Sequence, residues 1–452
     1  MNDDHGVAVR SAALDVLLKV SREGAYSQLA LHHAIEKSGF HSQDTALLTQ
    51  MVYGTIQWRL TLDYHLKPFL KKGARTKPWV KELLRLSVYQ LAFLDKIPHH
   101  AVVNVAVEIA KKRGGQRVSG FVNGVLRAYI RTGGPDVQTI QDAWERKEIL
   151  HSHPRWLLKR WTAQYGEEAT VAICKANHTP PDVTIRVNRL KWDRKACLST
   201  LREAHFDVKE GNLSPDAIVL KKGKIIDHPI YKEGKVTIQD ESSMLVARAL
   251  DAKPGQRVLD ACSGPGGKTT HIAELMDDTG EILALDIYEH KIGLVRSQAA
   301  RLGLSSIKTM VADARRTGEI FPKESFDRIL IDAPCSGFGV IRRKPEIKYE
   351  KTAEDVASIS RLQREILDAN APLLKKSGVL VYSTCTIDKE ENVFAVQDFL
   401  KTHPDFTIDT SLVERLPEVV REKSLWFADG MCQILPQHFG TDGFFIAAFL
   451  KR

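Results

Sequence analysis

RVLDACSGPGGKTT, residues 257–270, opens the pattern that decides the fold of the C-terminal half. A short apolar run ends in an acid, a glycine-rich turn follows, and a helical pattern starts at Gly267. The alternation then repeats. ILALD (282–286) precedes a helical run from Glu289, and IKTMVAD (307–313) forms a third strand-like run. FDRILID (326–332) comes before a helix over 359–374, and GVLVYS (378–383) before one over 388–402. Strands alternating with helices predict a mostly parallel, Rossmann-like α/β sheet with helices on both faces and a ligand crevice at the strand ends. CQIL (432–435) and GFFIAAFL (443–450) predict an antiparallel pair at the sheet edge.

The glycine-rich turn suits close approach of backbone to a ligand at a helix N-terminus. It is not a triphosphate loop. Counting back from Gly267-Lys268-Thr269, the first glycine of that motif would be residue 262, which is Cys. The dinucleotide pattern fails too, because Gly264 and Gly266 are followed by Thr269. Acids end four successive strands: Asp260, Asp286, Asp313 and Asp332. An acid after the second strand can accept ribose hydroxyls, and one after the third can accept an adenine amino group. This set fits S-adenosylmethionine. The expected cofactor residues are Cys262, Ser263, Gly264, Pro265, Gly266, Gly267, Lys268, Asp286, Asp313 and Asp332. Lys268 is either a helix-start charge or a site residue, and its chemistry leaves both open.

At 452 residues the chain exceeds one ordinary core, so two or three domains are expected. The expected division is 1–135, 150–250 and 251–452, with a polar connector holding Gly133-Gly134-Pro135. Hydrophobic residues at 43% and charged residues at 27% suit a soluble globular protein. No apolar run is long enough to span a bilayer, and MNDDHGVAVR lacks an apolar signal segment, so a cytoplasmic location is expected and no membrane partner. The six cysteines include no C-x-x-C pair, so no metal site is expected.

Residues 1–130 follow helical periodicity throughout. Gly73-Ala74, Ile97-Pro98 and Gly114-Gly115 punctuate the pattern. The first 150 residues carry 21 Lys and Arg against 14 Asp and Glu, most of the net +9. Lys71, Lys72, Arg75, Lys77, Lys111, Lys112, Arg113 and Arg117 together suggest a phosphate-binding face. This segment resembles the NusB-like RNA-binding domain through VYGTIQW (52–58), the helix from Leu83 to Asp95, IPHHAVVN (97–104) and SGFVNGVLR (119–127). That resemblance implies an all-α domain that binds RNA. Between 150 and 250, TIRVN (184–188) and Val236–Gln239 read as strands of a small α/β subdomain.

Two cysteines sit just past strand ends, in DAPCSG (332–337) and STC (383–385). Methyl transfer to an exocyclic amine needs no thiol. Transfer to carbon 5 of a pyrimidine does, because that carbon becomes nucleophilic only after a thiolate adds at carbon 6. A proton must then leave carbon 5 before the thiol departs. Spacing alone leaves either cysteine as the nucleophile.

C262-S-G-P-G-G-K268, Asp286, Asp313, D332-A-P-C-S-G337, I341-R-R-K-P345 and S383-T-C385 resemble the RNA cytosine-5 methyltransferase family. Within it, the chain resembles the bacterial branch that acts on 16S ribosomal RNA and carries a NusB-like N-terminal domain. The resemblance implies RNA as partner, Cys385 as nucleophile, Cys335 as the aid to proton removal or release, and Asp332 on the cytosine edge. Arg342 and Arg343 are expected to meet RNA phosphate. Other readings are a transfer-RNA cytosine-5 methyltransferase and a non-catalytic RNA-binding assembly factor. Oligomeric state is left open.

Overall fold

The computed structural model describes residues 3–70 and 76–452. The chain divides into two compact units, Met1–His178 with Ile341–Glu350, and Thr179–Val340 with Lys351–Arg452.

The first unit is helical. Its longer helices are Asp3–Glu23, Ser42–Gln57, Pro78–Phe93 and His99–Thr132. Pro78 starts its helix, where a missing N–H leaves nothing unbonded, and Leu83, Leu84, Leu86 and Val88 of that helix are buried. Periodicity predicts separate helices on either side of Gly114-Gly115. The structure agrees: His99–Thr132 is two helices that meet at Gly115, where the backbone leaves helical geometry with φ +75° and ψ −175°. Lys71, Lys72 and Arg75 of the expected basic face, with Gly73-Ala74, lie outside the described residues.

Helices Arg155–Tyr165 and Glu167–His178 also belong to this unit, burying Leu157, Leu158, Trp161 and Ile173. The division therefore falls at 178/179, inside the expected 150–250 subdomain. Ile341–Glu350, drawn from far along the chain, is held here by specific bonds. Glu346 accepts from Ser27 N (2.9 Å) and Ser27 Oγ (2.7 Å). Lys348 Nζ donates to Gln57 O at 2.8 Å, and Tyr349 Oη bonds Gln57 O at 3.1 Å.

The second unit holds two sheets among the described residues. β1 (Val183–Val187), β2 (Asp207–Glu210), β3 (Ala217–Lys222) and β4 (Val236–Ile238) form an antiparallel sheet in the order β2-β3-β1-β4. Of these, β2 carries one buried position in four and gave no strand pattern to read.

The larger sheet contains β5 (Arg257–Asp260), β6 (Glu281–Asp286), β7 (Ile307–Val311), β8 (Phe326–Asp332), β9 (Leu374–Thr384), β10 (Phe406–Ile408), β11 (Leu425–Ala428), β12 (Met431–Ile434) and β13 (Phe444–Lys451). Its order is β11-β12-β13-β9-β8-β5-β6-β7, with β10 on β13. The five strands from β5 to β9 pair in parallel, and β13 runs antiparallel to β9. The expected pair β12–β13 forms, but β11 takes the edge and β13 lies inside the sheet. Alternate residues enter opposite cores: Val258, Leu330 and Val381 one side, Leu259, Ile331 and Tyr382 the other. The chain steps from β5 to β6 on one side and places β8 on the other. The ends of β5 and β8 therefore flank the topological switch point. Among the described residues no helix is long and apolar enough to cross a membrane.

Candidate active site

The turn after β5 is built around backbone that tolerates no side chain. A Cβ on Gly264 would lie 2.6 Å from Asp286 Oδ2 and 2.7 Å from Lys291. Gly266 caps helix Gly267–Leu275 with φ +104°, a conformation that favours glycine. Asp286, at the end of β6, holds two turns at once. Its Oδ2 accepts from Gly264 N at 3.2 Å and its Oδ1 from Tyr288 N at 3.1 Å.

A buried arginine that the sequence reading did not single out steadies the same helix. Arg186 of β1 is fully buried, donating to Glu274 Oε1 (2.8 Å) and Oε2 (3.0 Å), to Gly267 O (2.8 Å), and to Gln239. Paired this way, its charge is compensated inside the fold. Gln239 belongs to QDESS (239–243), where Asp240 caps the next helix and Glu241 accepts from Leu213 N at 2.6 Å.

The strand-end acids differ in their surroundings. Thr269 Oγ1 donates to Asp260 Oδ2 at 2.6 Å, and burial pushes the Asp260 carboxyl up to about 7. Among the described residues, Asp260 Oδ1 and Ser263 Oγ are buried without a hydrogen-bond partner. Burial, then Asp260, Asp332 and Asp286, push the Cys262 thiol well above its usual range, so these three acids converge on the turn. Asp313 is turned to Arg315, with an Nη2–Oδ2 distance of 2.6 Å, and caps the turn after β7. The donor set suits S-adenosylmethionine: carboxylates for hydroxyl and amino groups, two orphaned polar atoms, and glycine backbone with no Cβ in the way.

Beside that turn lie the two cysteines. Cys335 Sγ and Cys385 Sγ are 3.2 Å apart, and both are free thiols. The hydrogen bond to Cys385 and burial hold the Cys335 thiol well above its usual range, helped by Glu391 and Asp332. Lys268 Nζ donates to Asp332 Oδ2 at 2.7 Å, and Ser383 Oγ to Asp332 Oδ1 at 2.8 Å. Burial opposes the Lys268 ammonium, but Asp332 and then Cys385 outweigh it and raise its pKa. Lys268, in the first turn of helix Gly267–Leu275, thus lies against the Asp332 carboxylate.

Asp260, Cys262, Ser263, Gly264, Lys268, Asp286, Asp332, Cys335 and Cys385 therefore gather around the ends of β5, β6, β8 and β9. Arg342 does not take part in a phosphate-facing surface. It is 3% exposed and donates to Ala176 O at 2.9 Å inside the helical unit. Its partner lies 166 residues away in sequence, beyond the reach of a local charge pattern. The sequence reading also passed over Glu391 and Asn392, which look there like an acidic helix start.

Residues 247–450 match the family described as 16S rRNA methyltransferase RsmB/F. Residues 7–131 match the NusB family, and 153–227 the RsmF/B-like ferredoxin-like domain. The chain is 50% identical to a probable ribosomal RNA small subunit methyltransferase B of Bacillus subtilis, over 98% of this chain and 99% of that one. Its likeness to a probable ribosomal RNA small subunit methyltransferase B of Synechocystis is 34%, over 98% of this chain and 100% of that one. The solved structure of a protein designated PH0851 aligns with a TM-score of 0.84 at 28% identity, covering 99% of both chains.

Proposed function

The chain belongs to the 16S rRNA methyltransferase RsmB/F family, and on that premise we propose that it methylates carbon 5 of a cytosine through a covalent thiol adduct. The family's activity is methylation of small-subunit ribosomal RNA with S-adenosylmethionine as donor. The observation that carries the finer reading is the 3.2 Å approach of Cys335 and Cys385 beside Asp332. An amine-directed enzyme has no use for two thiols at that place.

In this reading the turn 262–268 and Asp286 hold the cofactor, which supplies an electrophilic methyl group when bound. Cys385 Sγ bonds to carbon 6 of the base, and the electron pair of the 5,6 double bond becomes available at carbon 5. Asp332 faces ring nitrogen 3, and the Lys268 ammonium bonded to it balances charge arriving on the ring. Once carbon 5 carries its methyl group, its proton passes to solvent with Cys335 assisting the transfer, and the C–H electron pair stays on carbon 5. The double bond then re-forms as the Cys385 sulfur leaves. The base must be unstacked to reach the thiol, so unpaired or locally opened RNA is the expected substrate.

Incubating each cysteine variant with RNA and S-adenosylmethionine, then running denaturing gels, tests the roles. Cys385→Ala gives neither adduct nor methylated RNA. Cys335→Ala gives a slow-migrating covalent adduct that persists. A stable adduct from Cys385→Ala would move the nucleophile to Cys335. Full activity in Cys385→Ala, with no adduct from either variant, would sink the covalent route.

A further inference from the structure

Glu391 lies outside the chemistry described so far, yet it is fully buried and grips both cysteine loops. Its carboxylate accepts from Ser336 N (2.8 Å), from Ser336 Oγ, from Gln363 Nε2 (3.1 Å) and from Thr386 Oγ1 (3.2 Å). Ser336 follows Cys335, and Thr386 follows Cys385. Their hydroxyl oxygens are themselves 2.8 Å apart. Gln363 Nε2 also donates to Pro334 O at 2.9 Å, so the loop is held on both flanks of Cys335. The neighbouring side chain does the same for Cys385. Thr384 Oγ1 donates to Asn392 Oδ1 at 2.6 Å, and Asn392 Nδ2 to Thr386 O at 3.0 Å. Tyr382 Oη ties the Glu391 carbonyl back to β9 at 2.6 Å.

We propose that Glu391 is a positioning residue: it locks the Pro-Cys loop to the Thr-Cys loop and so sets the separation of the two sulfurs. It touches neither the sulfurs nor the turn 262–268 in the bonds that hold it, so it acts through Ser336 and Thr386. A buried carboxylate is a costly way to hold two loops together by adhesion alone. Its use here lies in geometry. Two oxygens bridge donors from separate strand ends, and an apolar side chain cannot do that. Burial pushes the Glu391 carboxyl up to about 7, against the hydrogen bonds from Ser336.

The inference deepens the two-cysteine reading and rests on it for its catalytic consequence. Its test therefore includes a readout that does not. Glu391→Gln has the same shape but replaces one carboxylate oxygen with an NH2 donor, so it loses the charge and one of the two acceptor oxygens that bridge the loops. In the full-length chain, diamide oxidation would convert the two thiols to a disulfide, passing two electrons and two protons to the reagent. Mass spectrometry would follow the Cys335–Cys385 peptide with time.

Wild type should form the disulfide readily, and Glu391→Gln about tenfold or more slowly, the scale of one hydrogen bond to a charged group. Methyl transfer should lose kcat by a similar factor, with KM for RNA and for S-adenosylmethionine unchanged. Glu391→Asp keeps the charge and should recover part of both. A Glu391→Gln variant that oxidises at the wild-type rate overturns the proposal, whether or not methylation falls. Slow oxidation with unimpaired methylation would uphold the positioning and count against the two-cysteine chemistry instead.

Discussion

Two loops follow parallel strands of the same sheet, and each carries a lysine withdrawn from water. The turn after β5 carries Lys268, and the excursion after β8 carries Lys348. Their fates are opposite. Lys268 meets the Asp332 carboxylate, which outweighs burial and raises its pKa. Lys348 is fully buried against a peptide carbonyl, that of Gln57, and burial pushes it down to about 7. A carbonyl dipole offers a hydrogen bond but no compensating charge, so the ammonium stays costly. The first lysine is bonded to a carboxylate, and the second holds Ile341–Glu350 in the helical unit.

The largest expected effect separates the two lysines by pH. An ordinary lysine keeps its proton to pH 10.5, and folded Lys348 releases it near pH 7. Between those values the unfolded chain binds more protons, so stability rises with pH. Below pH 7 both states are protonated and the full penalty applies. At about 1.36 kcal/mol per unit, the contrast amounts to up to about 5 kcal/mol. Lys348→Met should be more stable than wild type at pH 6 and should lose the gain that wild type shows from pH 7 to pH 9. Tyr349 Oη still bonds Gln57 O, so that carbonyl is not orphaned. Parallel stability–pH curves in denaturant titrations would break the comparison.

Next comes Lys268→Met, which leaves Asp332 without its countercharge. Methyl incorporation should fall by about 10–100-fold, from the 1.5–3 kcal/mol of a charged hydrogen bond. Lys348→Met should retain near wild-type turnover at 25 °C. Equal losses in the two variants would mean that Lys268, too, is structural.

The smallest effect concerns Arg342. Each phosphate contact contributes about 0.7–0.9 to the slope of log affinity against log salt. Arg342→Gln should leave the slope for RNA binding unchanged, because its guanidinium donates to Ala176 O inside the helical unit. A shallower slope would return Arg342 to the RNA surface.

Legibility followed the range of the interaction. Strands β5 to β9, and the acids Asp260, Asp286, Asp313 and Asp332 at the ends of the first four, could be read because alternation and strand-end position are local properties. So could the glycine turn, whose spacing excluded two competing phosphate loops. The 3.2 Å approach of Cys335 to Cys385 was readable only as two similar strand ends, 50 residues apart. Glu391 was missed because an acid before a helix is ordinarily a capping charge. Nothing near it in sequence announces Ser336, 55 residues back.

By itself, then, the sequence determined the helical first segment, the alternating sheet, and the residues at its switch point. Periodicity and backbone permissiveness act within a few residues and leave a trace in composition. Only the tertiary structure decided which charges are paired, which are merely buried, and which loop belongs to which unit. Glu346 finds Ser27 319 residues away, and Arg186 finds Glu274 at 88. A buried charge is stabilised by whatever partner the completed fold brings within about 3 Å, and that partner has no fixed distance along the chain.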